Sequence, residues 1–115
     1  MKKLKLPDEL QTISVSYTKY NVKFVDQEYS EANGFLGILD TEKQQIKIRD
    51  SLHNNELINT LFHELFHACN FHFGMKTEYG SELEEKFVEC IANGFTEIIV
   101  KNPELLKWID ENIER

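Results

Sequence analysis

The sequence contains few residues that interrupt a polypeptide chain. Two prolines and five glycines among 115 residues leave no low-complexity linker that would divide it into domains. No apolar run reaches the roughly eighteen residues that a membrane-spanning helix needs. The first seven residues also lack the apolar segment of a signal peptide. We therefore expect one domain, residues 1–115, located in the cytoplasm.

A surplus of basic residues and a cysteine framework are also missing. The formal net charge is −7 at pH 7, which opposes the counterion release by which proteins bind a phosphate backbone. Two cysteines, Cys69 and Cys90, are too few for a disulfide framework, and we expect both to be small buried apolar residues. We expect neither nucleic acid nor a membrane as a partner.

The first half of the sequence predicts β-strands. Apolar and polar residues alternate at residues 13–17 and again at 20–24, which predicts a hairpin with its turn at Thr18 and Lys19. Residues 34–39 and 45–49 predict a second hairpin, closed by a polar turn. Together these segments predict a small twisted antiparallel sheet of three to four strands.

The second half predicts helices, because the apolar residues now recur every three to four positions. This spacing predicts an amphipathic helix over residues 54–74. A second helix is expected to begin at Ser81, which together with Glu84 matches a capping box. Asn102 and Pro103 end that helix and start a short third one. Strands followed by helices predict an α+β domain with the helices packed on one face of the sheet.

The first predicted helix contains the sequence His63-Glu64-x-x-His67. Residues four apart lie one turn above each other, so the two imidazoles can point at one position, as tetrahedral zinc requires. On a helical projection both histidines lie outside the apolar arc, which is roughly 180° wide, so they are not core residues. Glu64, about 100° from His63, would stand beside the metal as a general base.

A third ligand is expected from the second helix, where Glu85, Glu89 and Asn93 form a row at i, i+4 and i+8. We predict Glu89, because the small Ala92 would allow the helices to approach closely and Asn93 could hydrogen-bond an imidazole. Glu85 is the alternative. The non-functional interpretation of this row is a solvated acidic face.

The other histidines fit a site less well. A third histidine after a glycine would indicate a different class of zinc peptidase, but Phe73 stands at that position and excludes this class. We expect His53 and His72 to be surface or packing residues.

At these residues the sequence resembles the gluzincin metallopeptidases, in which His-Glu-x-x-His on one helix is completed by a glutamate on the next. It is more closely similar to small ImmA/IrrE-type and phage-encoded metallopeptidases and to the minigluzincins. The resemblance spans the blocks 37–49, 60–67, 84–94 and 102–106. It implies zinc bound by His63, His67 and Glu89, with Glu64 catalytic, and an edge strand near residues 35–39 that pairs with an extended peptide.

These features predict a zinc metalloendopeptidase that hydrolyses peptide bonds in a peptide or protein substrate. Tyr79, twelve residues after His67, is a candidate donor to the developing oxyanion, with simple packing as the alternative. The main alternative function is a catalytically weak or inactive zinc-binding module that binds a protein partner. A fourth ligand such as His72 or Cys90 would favour it, since structural zinc sites are usually closed. A plain interaction domain without metal is a third possibility.

Overall fold

The computed structural model describes residues 5–73 and 80–115. A short 3-10 turn at Asp8–Leu10 precedes the regular elements. The predicted α+β class is confirmed. The four strands and four helices are β1 (Thr12–Val15), β2 (Thr18–Val25), α1 (Gln27–Ala32), β3 (Gly37–Asp40), β4 (Gln45–Arg49), α2 (Asn54–Phe73), α3 (Ser81–Lys101) and α4 (Pro103–Asn112).

The four strands form one sheet in the order β1-β2-β4-β3. Both predicted hairpins are present, but the first turns at Ser16 and Tyr17 rather than at Thr18 and Lys19. Ser16 adopts a φ of 56°, the positive value that two-residue hairpin turns require at a central position. Strands β2 and β4 are parallel, so the sheet is mixed and the prediction of a wholly antiparallel sheet is wrong.

The parallel pair arises from helix α1, which the sequence pattern did not reveal. Asp26 caps α1, because its side chain accepts a hydrogen bond of 2.8 Å from the backbone N–H of Tyr29. The buried Ser30 donates to the backbone carbonyl of Phe35 and accepts a 2.8 Å bond from Arg49 Nε. After α1 the chain enters β3 at a position that is not adjacent to β2, and β4 then fills the gap between them.

The main core lies between the sheet and α2, which packs across β1, β3 and β4. Helix α3 packs on α2 through Val88 and Ala92, both fully buried. The ring of Phe95 also lies edge-on to that of Phe62, with 5.0 Å between the centroids. The buried residues of the main core are Val15, Tyr20, Val22, Ile46, Ile48, Leu57 and Ala68.

The last helix, α4, packs against α3, and no residue of α4 is buried in the described part of the chain. Within residues 5–73 and 80–115, none of the helices has the length and apolar character needed to cross a membrane.

Candidate metal centre

Helix α2 brings the two predicted histidine ligands together. His63 Nε2 and His67 Nε2 are 3.2 Å apart, and both side chains are partly buried. Two nitrogens that each lie 2.0–2.1 Å from a tetrahedral zinc ion are separated by roughly 3.3–3.4 Å. The spacing of these two nitrogens therefore fits a shared metal ion.

Helix α3 adds a carboxylate to the same point. Glu85 Oε1 lies 2.6 Å from His63 Nε2, and Glu85 Oε2 lies 3.0 Å from His67 Nε2. One ligand atom from each of the three residues lies within 4.8 Å of the others, so the group could hold a metal ion. Glu85, not the predicted Glu89, is the third member of this group among the described residues.

The difference between the two glutamates is one turn of α3. Buried Val88 and Ala92 fix how α3 lies against α2. With that packing, the turn of α3 that is level with the imidazoles carries Glu85. Glu89 is exposed and lines the cleft beside the group. The structure therefore favours the alternative ligand, Glu85, over the predicted Glu89. The spacing of residues along one helix does not determine which of them lies level with a given residue of a neighbouring helix.

A second glutamate of α3 orients His67. Glu84 Oε2 lies 2.8 Å from His67 Nδ1, which therefore donates its proton to the carboxylate. In the neutral imidazole, Nε2 then carries the lone pair, and it faces Glu85 Oε2 at 3.0 Å. A lone pair and a carboxylate repel each other unless a proton or a cation lies between them. A carboxylate partner on the second ring nitrogen is also typical of metal-binding histidines.

The capping box predicted for Ser81 and Glu84 is absent from the structure. Gly80 is the N-cap of α3, with a φ of 78° and no side-chain capping bond, and Ser81 lies inside the helix. Glu84 contributes its backbone N–H to the carbonyl of Gly80, 3.2 Å away, while its carboxylate bonds to His67. The adjacency of Glu84 and Glu85 at the start of the helix is the sequence feature from which two carboxylates near the histidines could have been predicted.

Glu64 stands beside the group, as predicted, and only 7% of it is exposed. Burial raises the pKa of Glu64 above its ordinary value, and the neighbouring Glu85 raises it further, whereas His63 and His67 lower it. A carboxylate with a raised pKa is a stronger base than an exposed one. This environment suits proton transfer near neutral pH.

Gly37, at the start of β3, makes room for Glu64. A Cβ atom at this position would lie 3.3 Å from Glu64 Cγ and only 2.6 Å from Thr60 Cγ2. Since real Cβ atoms are not found at 2.6 Å from another heavy atom, a side chain here would require either Thr60 or the backbone of β3 to move. Glycine therefore allows the sheet to cover Glu64 closely.

The group opens into a cleft of about 270 Å³. One wall is formed by Leu36 and Gly37 at the sheet edge and the other by residues of α2 and α3. Asn59 ties the two helices together at the end of this cleft, because its Nδ2 lies 3.1 Å from both Asn93 Oδ1 and Thr96 Oγ1. Asn93 thus bonds to Asn59 rather than to an imidazole, and the predicted support of a ligand by Asn93 is wrong.

The remaining candidates lie elsewhere. His72 Nε2 is 2.7 Å from Tyr20 Oη, which confirms a packing role, and the side chain of His53 is exposed. Cys69 is partly buried, but Cys90 is exposed, so the expectation that Cys90 is buried is wrong. Within the described ranges neither His72 nor a cysteine joins the metal group. Tyr79 lies outside the described residues.

The chain matches none of the protein families, curated proteins or solved structures with which it was compared. The geometry of the site and the resemblance of its motifs therefore carry the functional argument.

Proposed function

We propose that this chain is a zinc-dependent metallopeptidase of the gluzincin type, with His63, His67 and Glu85 as ligands and Glu64 as the general base. The observation that carries the proposal is the convergence of two Nε2 atoms and one carboxylate in an open cleft, with a buried glutamate beside them. Two histidines and a glutamate are a known ligand set of catalytic zinc in peptidases.

The number of ligands supports a catalytic rather than a structural metal. Structural zinc sites are usually closed by four protein ligands, whereas catalytic sites have three and leave one position for water or substrate. In residues 5–73 and 80–115 the group contains three ligand side chains and no fourth. Imidazole and carboxylate ligands together suit zinc better than they suit magnesium or calcium.

His63, His67 and Glu85 would hold a zinc ion, which would supply a Lewis acid able to polarise a carbonyl group and to lower the pKa of a water molecule. Glu64 would accept a proton from a water molecule whose oxygen bonds to the carbonyl carbon. The C–N bond then breaks, and Glu64 returns the proton to the leaving amine. Glu84 holds His67 in the tautomer whose Nε2 is free to bind metal.

The position of the sheet supports an extended peptide as substrate. Strand β3 lies at one edge of the sheet, and Leu36 and Gly37 border the cleft. The unpaired N–H and C=O groups of an edge strand can bind another extended chain by strand addition. A peptide placed there would pass the metal group and Glu64.

The proposal is tested by Glu64→Gln. We expect the variant to retain one zinc per chain and to lose hydrolysis of a mixed peptide library, because an amide cannot accept the proton. Glu82→Gln is the matched control for activity, since Glu82 is exposed on α3 and pairs with Lys86 at 3.8 Å.

Two results would overturn the assignment. A Glu64→Gln variant as active as the parent would remove Glu64 from the reaction. If the parent protein binds zinc stoichiometrically but cleaves no peptide in the library, the chain is the non-catalytic zinc-binding module instead.

A further inference from the structure

Helix α3 has a wide apolar surface, and only part of it is covered. Val88 and Ala92 pack on α2 and are fully buried. Four neighbouring apolar residues remain 39–49% exposed. They lie within an arc of roughly 80° on a helical projection. We call these residues the outer stripe: Leu83, Phe87, Ile91 and Ile98.

Helix α4, which packs against α3, also exposes apolar residues. Four of its large apolar residues and the one just after it are 37–63% exposed, and none is buried in the described part of the chain. Soluble monomers rarely expose contiguous apolar patches larger than about 300–600 Å². The residues concerned are Leu105, Leu106, Trp108, Ile109 and Ile113.

The area of this surface matches a protein–protein interface. A large side chain has roughly 150–250 Å² of surface when fully exposed. At the observed exposures, the outer stripe and the apolar residues of α4 together present on the order of 600–1,000 Å². A stable specific interface buries about 800 Å² on each partner. One protein partner of standard size would cover this surface.

Gly94 lies in the middle of the outer stripe. Glycine weakens a helix interior relative to alanine, so its presence calls for a structural reason. The described residues supply none, because a Cβ atom at Gly94 would have no heavy atom of theirs within 4 Å. A glycine at the surface of a helix lets a second helix approach its backbone closely.

We infer that the outer stripe and the exposed apolar residues of α4 together form the interface of a homodimer, in which α3 of one copy crosses α3 of the second copy at Gly94. A two-fold axis places each residue of the central contact against its own copy, so a single glycine provides the close approach on both sides. Glu85 and Glu89 lie on a different side of α3 from Gly94, so the dimer leaves the cleft accessible.

The first experiment measures the mass of the full-length chain in solution by sedimentation equilibrium. We expect the parent to be a dimer and Phe87→Glu to be a monomer, with the helical circular dichroism and zinc content of the parent. Val100→Glu is the matched control, because Val100 is an exposed apolar residue of α3 outside the stripe. A parent that stays monomeric up to its solubility limit overturns the inference, as does a dimer that Phe87→Glu leaves intact.

The second experiment uses Gly94→Leu, which separates the dimer from folding. Leucine favours the helix more than glycine does, and the position has open space within one chain. We therefore expect a fold at least as stable as that of the parent, together with a dimer dissociation constant raised by about tenfold or more. An unchanged dissociation constant contradicts the crossing at Gly94.

A cross-linking test locates the axis directly. In a Cys90→Ser background, Gly94→Cys is expected to form a disulfide-linked dimer on mild oxidation, because the two copies of residue 94 face each other. Val100→Cys in the same background should stay uncross-linked. Equal cross-linking of both variants would place the axis elsewhere.

Discussion

The half of the chain formed by the sheet and α2 differs sharply from the half formed by α3 and α4. The first half contains all seven buried residues of the main core, whereas α3 contributes two buried apolar residues and α4 none in the described structure. Yet the metal group draws on both halves, with His63 and His67 on α2 and Glu85 on α3.

This contrast separates what builds the fold from what completes the site. The sheet and α2 form a packed unit that fixes the two histidines and Glu64. Helix α3 packs on α2 around Val88, Ala92 and Phe95, and it carries the remaining ligand and the partner of His67. We expect changes in the first half to affect stability and metal binding, and changes at the start of α3 to affect metal binding alone.

The largest effect is expected for His63→Ala. Loss of a ligand from the packed half leaves one imidazole and one carboxylate, so zinc affinity should fall by more than the roughly 100-fold that loss of a supporting residue can cause. Competition with a chelating dye measures this. His72→Ala is the control on the same helix, since His72 bonds to Tyr20 and lies outside the metal group. Equal losses in the two variants would contradict the assignment.

Gly37→Ala should destabilise the packed half. The added Cβ would lie 2.6 Å from Thr60 Cγ2, and overpacking of this kind costs about 1–3 kcal/mol in the free energy of unfolding. Urea unfolding measures the change. Adding Thr60→Ser removes the clashing methyl group and keeps a hydroxyl that can donate to the carbonyl of Glu56, as Thr60 does at 2.9 Å. The double variant should recover part of the loss, and no recovery would exclude this contact as the cause.

Glu84→Gln tests the expectation that a change at the start of α3 affects metal binding but not stability. The amide can no longer offer a charged acceptor to His67 Nδ1, so zinc affinity should fall by about 10–100-fold. The unfolding free energy of the metal-free protein should change little, because Glu84 is outside the buried core. Glu89→Gln, one turn after the ligand Glu85, should keep the affinity of the parent. A large loss for Glu89→Gln would restore Glu89 as a ligand.

The smallest effect concerns the pH dependence of the metal-free protein. Burial raises the pKa of Glu64 above its ordinary 4.5, while His63 and His67 oppose the shift and Glu85 adds to it. The folded state thus holds this proton more tightly than the unfolded chain does. The stability that Glu64 contributes is present below its unfolded pKa and is lost as the pH rises through its folded pKa.

Glu64→Gln removes this dependence. With zinc chelated, the variant should gain stability relative to the parent as the pH rises from 4.5 to neutrality. Urea midpoints across that range measure the difference. A parent that gains stability over the variant as the pH rises would show that the pKa is lowered instead.

The sequence predicted the elements whose pattern is local. The alternation in residues 45–49 and the period of α2 follow from which side of each element is buried, and His63-Glu64-x-x-His67 needs only one helix. It did not predict α1, since six residues with few apolar positions leave no clear period. The parallel pairing of β2 with β4 depends on that helix and was missed for the same reason.

The choice between Glu85 and Glu89 could not be predicted from a local sequence pattern. Both lie on one row of α3, and their spacing from each other says nothing about their level relative to α2. That level is set by the fit of Val88 and Ala92, which is a property of the packed pair. Glu84 was assigned to a cap because its position after Ser81 matches that motif, and its bond to His67 depends on the same packing.

The missing side chain at Gly37 bears on any attempt to transplant this site. A designer who copied the five-residue motif into an unrelated helix would obtain two imidazole nitrogens at the right separation. The glutamate between the histidines would not be buried. In this protein the glutamate is covered by Gly37 at the start of β3, more than twenty positions earlier in the chain. Grafts that also place a glycine opposite the glutamate should therefore bury it better than grafts of the motif alone.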